Sequence, residues 1–189
     1  DTLSLHDALP ISPGRNHPGP APARSGRRDA SWLRYRMEGG FAREVLSHFI
    51  FAALRICSTD MTLNSRSIIY PEEHNLCETR IEALFEASRI PVRVVAGIEG
   101  EDDDYNELLV TGTKGLMRMR DWYYGDVSFN GQWKAMPIGE EPRAATMRGQ
   151  LDNVALMLAG QPHSLATFRE AYTVQSHIES LLSVLERGK

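Results

Sequence analysis

This sequence has little cysteine, no long apolar run and no excess of positive charge. Its 189 residues contain two cysteines, Cys57 and Cys77, with neither a CxxC pair nor histidines at zinc-ligand spacing. This argues against a disulfide framework and a zinc site, and we interpret both residues as reduced, buried thiols of a cytoplasmic protein. No stretch reaches the roughly 18 apolar residues that a membrane helix needs, so we expect no membrane partner. A formal net charge of -4 argues against nucleic acid as a partner.

A G-x-G-x-x-G motif is also missing. A dinucleotide-binding fold needs it between a strand and a helix, because its glycines let backbone amides approach the pyrophosphate. In VVAGIEGEDDD the spacing of Gly97 and Gly100 is wrong, and an acidic, turn-like run follows. We therefore expect no cofactor on this chain alone. The acidic run, Glu101 to Asp104, could coordinate a divalent cation, but such a run is typical of a solvated turn, and we predict no metal site.

Residues 1–30 are expected to form a disordered tail. Residues 1–12, DTLSLHDALPIS, lack a starting methionine and the basic start of a signal peptide. They resemble translated adapter read-through at the ends of assembled sequencing reads, so our hypothesis is non-biological sequence joined to a gene truncated at its 5′ end. From Ser12 to Arg28 the composition shifts to Pro, Gly, Ser and Arg, which cannot offset the entropy of ordering.

Hydrophobic periodicity predicts a helix followed by a series of strands. Residues 41–57 lack Gly and Pro and predict one helix of about four turns. In CETRIEALFE apolar residues alternate with polar ones, which indicates a strand whose wet face includes Glu78 and Glu82. PVRVVAGI predicts another strand, NELLVTGTKGLMRMRDW two strands joined through residues 112–115, and DVSFNGQWKAM a hairpin that turns at Asn130-Gly131.

Two helices are predicted in the C-terminal third. The apolar stripe of the first consists of Met147, Leu151, Val154 and Leu158, and it ends at Gly160 and Pro162. Ser164 is the expected N-cap of the second, whose stripe consists of Leu165, Phe168, Tyr172, Ile178, Leu182 and Leu185. A helix, a run of antiparallel strands and two helices indicate an α+β domain, residues 31–189. The 42% hydrophobic content of the whole chain suffices for one core.

The segment GGFAREVLSHFIF places Glu44 and His48 one helical turn apart. With Ser47 and Arg55 they form a narrow polar stripe on an otherwise apolar helix. A stripe this narrow favours the lining of a cleft, where a carboxylate can orient an imidazole that acts as an acid or base near neutral pH. The alternative is an ordinary surface pair at i and i+4. Spacing alone leaves both interpretations open.

Other aromatic and histidine side chains allow a functional and a structural interpretation. Residues 122–124, Trp-Tyr-Tyr, could line a sugar site or pack at the end of a strand. His163 is expected in a loop and His177 on a helix surface, with no paired ligand spacing for a metal.

Taken together, these motifs resemble a known family. Trp32 followed by GGFAREVLSHFIF, the GTKGLMRM hairpin, and MRGQLDNVALMLAGQPHSLATFREAYTVQSHIESLLSV are similar to the C-terminal domain of the glucose-fructose oxidoreductase, inositol dehydrogenase and MocA (Gfo/Idh/MocA) oxidoreductases. The resemblance covers roughly Trp32 to Val184. It implies an open, mainly antiparallel β-sheet with helices packed on one face.

The resemblance also implies a site. In these enzymes the histidine of this motif joins a lysine from the N-terminal domain in proton transfer during hydride exchange with NAD or NADP. His48 takes the position of the acid/base, and Glu44 that of its aspartate partner, which is a departure from the family pattern. The family's Glu-Lys-Pro motif is absent from this sequence, so we expect this chain alone to be inactive.

Two hypotheses follow. In the first, the chain is the C-terminal fragment of an NAD(P)-dependent oxidoreductase that acts on a sugar, polyol or related hydroxy compound, and it forms homo-oligomers through the sheet. The chain then supplies the substrate-side acid/base, and NAD or NADP belongs to the parent enzyme. In the second, it is a stand-alone, non-catalytic binding or oligomerisation module. A nonfunctional gene fragment is a third interpretation.

Overall fold

A computed structural model describes residues 2–8, 31–98, 105–138 and 141–183. Three expectations therefore lie wholly or partly outside the described residues: the tail between residues 9 and 30, the acidic turn at residues 101–104, and the last apolar position of the C-terminal helix, Leu185.

The described residues form eight strands, three α-helices, a short 3₁₀ helix and a π-helical turn. The strands are β1 (Thr2–Ala8), β2 (Thr62–Ile69), β3 (Arg80–Ala87), β4 (Ile90–Gly97), β5 (Tyr105–Gly112), β6 (Gly115–Arg120), β7 (Tyr124–Phe129) and β8 (Gln132–Ala135). A short 3₁₀ helix spans Ser31–Arg34, and a π-helical turn (Ala42–Leu46) leads into α1 (Ser47–Cys57). The remaining helices are α2 (Pro142–Leu158) and α3 (Phe168–Leu182).

All eight strands belong to one sheet with the order β2-β3-β4-β1-β5-β6-β7-β8. Neighbouring strands are antiparallel, except that β1 runs parallel to β4. The predicted α+β class with an open, mainly antiparallel sheet is confirmed. Strand β2 was not predicted from the sequence, because the polar residues of TLNSRSII do not alternate cleanly with the apolar ones.

Strand β1 lies at the centre of the sheet. Its residues 3–8 pair with residues 92–97 of β4, and its residues 2–8 pair with residues 105–111 of β5. The predicted disordered tail is therefore wrong for residues 2–8, because backbone pairing on two sides can order a segment whose composition alone does not predict order. The origin of residues 1–12 stays a hypothesis.

The hydrophobic core lies between one face of the sheet and the helices α1 and α3. In β3, exposed and buried residues alternate along the whole strand, as the sequence predicts. The buried set includes Ile81 and Phe85 of β3, Val92 and Val94 of β4, Phe49 and Ile50 of α1, and Ile178 and Leu181 of α3. We call the opposite side of the sheet, which carries Arg80, Glu82, Leu84 and Glu86 of β3, the open face.

Both predicted hairpins are confirmed. Strands β5 and β6 pair antiparallel up to Gly112 and Gly115. Strands β7 and β8 turn at Asn130 and Gly131, whose φ angles of 58° and 80° are the positive values that a type I′ turn requires.

Helix α2 forms as predicted, and Gly160 follows it with a φ of 65°. Its apolar stripe does not join the core, because Met147, Leu151, Val154 and Leu158 are all exposed. The spacing of these apolar residues therefore predicted the helix correctly, but it did not predict that the apolar side of the helix is exposed. Among the described residues, no helix is both long and apolar enough to cross a membrane.

The start of α3 differs from the prediction. Its N-cap is Thr167, which forms a capping box with Glu170, whereas Ser164 bonds to Asn153. Because the helix begins at Phe168, that side chain is 98% exposed, and Tyr172 is exposed as well. The buried side chains of α3 are Val174, Ile178, Leu181 and Leu182, so only the later part of the predicted stripe faces the sheet.

Candidate functional site

His48 and Glu44 lie at the start of the first long helix, and both side chains are exposed. Glu44 belongs to the π-helical turn and His48 to the first turn of α1. Because a π turn is wider than an α turn, the angle between the two side chains differs from that of an ideal α-helix. Within the described part of the chain, no hydrogen bond joins their side chains, so the structure places the two residues near each other without coupling them directly.

The neighbour of His48 in space is Trp122. The imidazole and indole rings meet edge to face, with centroids 5.7 Å apart and an interplanar angle of 87°. Trp122 also packs on Phe49, with centroids 5.3 Å apart. Of the aromatic cluster considered from the sequence, Trp122 therefore packs against α1, whereas Tyr123 and Tyr124 are exposed.

Trp122 is held by an unusual turn between β6 and β7. Asp121 and Trp122 have φ angles of 49° and 68°, values that L-residues adopt only at a cost. The side-chain carbonyl of the fully buried Asn106 accepts a hydrogen bond from the Trp122 backbone N–H at 2.9 Å. The strained backbone and this hydrogen bond fix the indole beside His48.

Arg55, the last member of the predicted polar stripe, interacts with α3 and not with His48 or Glu44. Its guanidinium forms an ion pair with Glu170 of α3 at 2.6 Å and lies 5.1 Å from the ring centroid of Phe51. An open groove of about 420 Å³ lies here, between the end of α1 and the start of α3. His48 and Glu44 do not line this groove, so the cleft expected around them is not found at this position.

Sequence reasoning missed Glu78. The alternating pattern placed it on the wet face, but β3 begins only at Arg80, and Glu78 is 1% exposed. Its carboxylate accepts a hydrogen bond from the backbone N–H of Ala42 at 2.9 Å. Burial raises the pKa of Glu78, while the bond from Ala42 and the nearby Arg43 act in the opposite direction. No sequence signal reveals this role, because the partner is a backbone group far away along the chain.

Two close approaches explain the glycine pair before the helix. A Cβ on Gly39 would lie 2.3 Å from the carbonyl oxygen of Leu33, and one on Gly40 would lie 2.6 Å from Oε1 of Glu78. Gly40 also has a φ of 100°, which favours glycine. Gly39 therefore lets the chain pass the Leu33 backbone, and Gly40 lets Glu78 reach the first turn of the helix that carries Glu44 and His48.

Arg43 fastens this helix to α3. Its guanidinium donates to both carboxylate oxygens of Glu179, at 2.7 and 2.9 Å, and to the carbonyls of Arg36 and Gly39, both at 3.0 Å. The pKa of Arg43 is raised, first by the hydrogen bond with Glu179. A planar guanidinium fits this fork of acceptors, and an ammonium does not.

His177 is not on the helix surface, where the sequence predicted it. Its side chain is 13% exposed, and its Nε2 lies 2.7 Å from Oδ1 of Asp60. The hydrogen bond with His177 lowers the pKa of Asp60. The ring also packs edge to face on Phe85. This pair joins α3 to the segment before β2, and we assign it a structural role.

The described residues do not fit a dinucleotide or a metal. A pyrophosphate is bound at the start of a helix that follows a strand and leads to a parallel neighbour. Among the described strands, only β1 and β4 are parallel neighbours. The next described element after β4 along the chain is the strand β5 and not a helix. Among these residues, no three His, Cys, Asp or Glu side chains are grouped to hold a metal ion.

Comparison with known proteins gives a fold but no sequence match. No protein-family model matches this sequence, and no curated protein matches it. Solved structures do match its fold. A dehydrogenase (MviM) from Clostridium difficile superposes with a TM-score of 0.65 and 8% identity, over 96% of this chain and 53% of that one.

The 3-ketoreductase KijD10 from Actinomadura kijaniata, solved with NADP and TDP-benzene, gives a TM-score of 0.67 and 12% identity, over 95% of this chain and 52% of that one. An open conformation of KijD10 gives a TM-score of 0.63. This chain spans about half the length of each of these structures. The resemblance to Gfo/Idh/MocA oxidoreductases stated from the sequence is confirmed at the level of the fold.

Proposed function

We propose that this chain is the substrate-side part of an NAD(P)-dependent oxidoreductase that acts on a sugar, polyol or related hydroxy compound. The observation that carries the proposal is the fold, which superposes along 95% of this chain on about half of a 3-ketoreductase solved with NADP. In this proposal the other half of the enzyme binds the nicotinamide cofactor. We also propose that the enzyme is cytoplasmic.

His48 is the proposed acid/base. Its imidazole is exposed, so a hydroxyl group of a substrate can reach it. When the hydroxyl is oxidised, a ring nitrogen of His48 accepts the hydroxyl proton, and in the reverse direction it returns that proton to the carbonyl oxygen. Glu44, one turn earlier, is the proposed partner that orients the His48 ring. In this proposal the hydrogen bond between the Glu44 carboxylate and the His48 imidazole forms when substrate or the cofactor-binding part of the enzyme covers this surface.

Trp122 has a complementary role in this proposal. Its ring packs perpendicular to that of His48, and an aromatic ring offers apolar surface to the C–H groups of a sugar. The strained turn at Asp121 and Trp122 supports the assignment, because residues held in rare backbone conformations often occur at functional sites.

The proposal can be tested by NMR on the full chain. The probes are D-glucose, myo-inositol and thymidine diphosphate, each titrated while the ring signals of the histidines and tryptophans are recorded. We expect saturable shifts of His48 and Trp122 with at least one probe, and we expect their loss in His48→Ala. His163→Ala, which changes an exposed loop histidine, is the matched control and should leave them unchanged. A folded chain in which no probe moves His48 contradicts the proposed role.

A second function, self-association through the open face of the sheet, is favoured by a separate observation. Exposed apolar side chains recur along this face at Ile69, Leu84, Tyr105, Tyr124 and Trp133. In their midst the buried Asp126 accepts hydrogen bonds from Arg118 and Arg120 at 2.8 and 2.9 Å, and these bonds lower the pKa of Asp126. A surface that combines exposed apolar side chains with paired charges suits a second copy of the chain.

Sedimentation velocity tests this association. We expect an oligomer that Leu84→Asp and Trp133→Asp dissociate. The control is Leu158→Asp, a position that is 79% exposed and lies on α2 rather than on a strand of the sheet. Dissociation by the control alone would contradict association through the sheet.

A further inference from the structure

The central position of β1 creates an unusual feature of this fold. Strands β4 and β5 follow each other in the described part of the chain but do not pair with each other, since β1 lies between them. Without β1 the sheet would consist of two separate ladders, β2-β3-β4 and β5-β6-β7-β8. We call the space between β4 and β5 the strand slot.

Each wall of the strand slot carries buried side chains. Val94 of β4 and Leu108 of β5 are buried, and both are in register with residue 5 of β1. An empty slot would leave a row of unpaired backbone groups on each wall, which is unfavourable in a buried setting. The slot therefore has a strong tendency to hold one extended segment.

The slot selects its occupant mainly through the backbone. A strand added between two strands is held by main-chain hydrogen bonds on both sides, and alternate positions of the added segment are matched to the two faces of the sheet. Residues 2–8 supply this pairing to β4 and β5. The next described residue along the chain is Ser31, and β1 precedes every other described element in sequence.

We propose that the strand slot is a peptide-binding site, which residues 2–8 fill within one chain and which accepts the same segment from a second copy. The ligand class is an extended peptide that pairs parallel to β4 and antiparallel to β5. At low protein concentration the chain's own segment occupies the slot, because a segment attached to the same chain has an effective concentration on the order of millimolar. This inference does not depend on the proposed oxidoreductase function.

The test uses a fluorescent peptide of residues 1–8, DTLSLHDA, and the full chain with Leu5→Pro. A proline in a strand paired on both sides removes a ladder hydrogen bond, so the variant's own segment should leave an intact slot. We expect saturable binding by anisotropy to Leu5→Pro, at least about tenfold weaker binding to the wild type, and no binding of a peptide with proline at position 5. Ser25→Pro, outside β1, is the control and should behave as the wild type. Equal binding to both chains, or none to a folded Leu5→Pro chain, overturns the proposal.

If Leu5→Pro fails to fold, hydrogen exchange of the wild type decides the matter. If β1 can leave the slot while the rest of the sheet stays folded, the amides of β4 and β5 that pair with β1 should exchange their hydrogens while the amides between β2 and β3 stay protected. It also predicts that excess unlabelled DTLSLHDA peptide leaves protection at β2–β3 unchanged while it alters exchange in β1. Opening of β1 only together with β2–β3 overturns the proposal.

Discussion

The carboxylate of Glu78 accepts a hydrogen bond from the backbone N–H of Ala42 at 2.9 Å. The bond joins the segment just before β3 to the first turn of the helix that carries Glu44 and His48. It exists because Gly40, which faces the carboxylate, has no side chain. A buried carboxylate thus binds the N-terminus of the helix that carries the candidate acid/base His48.

Removal of the Glu78 carboxylate should destabilise the chain. Glu78→Ala leaves a buried N–H of Ala42 without its acceptor and creates a cavity, so we expect the free energy of unfolding to fall by about 2–4 kcal/mol. Glu78→Gln keeps an oxygen that can accept the bond and should cost less than Glu78→Ala. Urea unfolding followed by circular dichroism measures both, and an equal loss in the two variants would show that the acceptor is not what matters.

The pH dependence of stability should also report on Glu78. Its pKa in the folded chain is raised above the ordinary value of 4.5 by burial. The folded state then binds this proton more tightly than the unfolded state, so the stabilisation is present in full below 4.5 and is lost as the pH rises through the folded pKa. We expect the stability of the wild type relative to Glu78→Gln to fall over this range. Parallel stability curves for the two chains would contradict the raised pKa.

Gly40→Ala tests the close approach directly. The new Cβ would lie 2.6 Å from Oε1 of Glu78, at a φ of 100°. We expect a loss of about 2–4 kcal/mol in the free energy of unfolding. Gly149→Ala is the matched control, since it lies within α2 with no atom within 4 Å of the added Cβ, and it should raise stability by up to about 1 kcal/mol. Similar effects of the two substitutions would argue against the predicted clash.

Glu170 should make the chain sensitive to acid. Hydrogen bonds from the Thr167 backbone and from Arg55 lower its pKa from 4.5 to about 2. A lowered pKa means stabilisation that is present above 4.5 and lost as the pH falls towards 2. Glu170→Gln should therefore lose less stability than the wild type over this interval, as thermal unfolding at a series of pH values would show. Arg55→Gln should reduce the effect only in part, because Thr167 makes the larger contribution.

Arg43 should resist replacement by lysine. Its guanidinium contacts both oxygens of Glu179 and two backbone carbonyls, a geometry that one ammonium cannot reproduce. We expect Arg43→Lys to lower the free energy of unfolding by about 1 kcal/mol. Arg80→Lys, in the exposed pair with Glu82, should have little effect. A comparable loss in Arg80→Lys would mean that the forked geometry is not responsible.

Much of the fold could be predicted from local patterns. The alternation of β3, the turns at Gly112 to Gly115 and at Asn130-Gly131, and the α1 and α2 segments were confirmed, because period and turn chemistry are properties of a few consecutive residues. Burial of a helix is not such a property. The stripe of α2 has the same spacing as a core-facing one, yet it is exposed in the described structure.

The candidate site could be predicted only in part. The sequence identified His48 and Glu44 and the possible use of Trp122, since their residue types and spacing carry chemical meaning. It did not reveal that Trp122 packs against His48, that Arg55 pairs with Glu170, or that Glu78 is buried. Each of these relationships joins residues that are distant along the chain.

The sequence by itself therefore determined the α+β class, the helical setting of Glu44 and His48, and the hairpins, because local periodicity and backbone preference decide such features. Tertiary structure decided the rest. It placed residues 2–8 between β4 and β5 and brought Glu78 to the start of the helix. The physical reason is that hydrogen-bond partners and buried neighbours are supplied by whichever segments the folded chain brings together, and no local pattern specifies those segments.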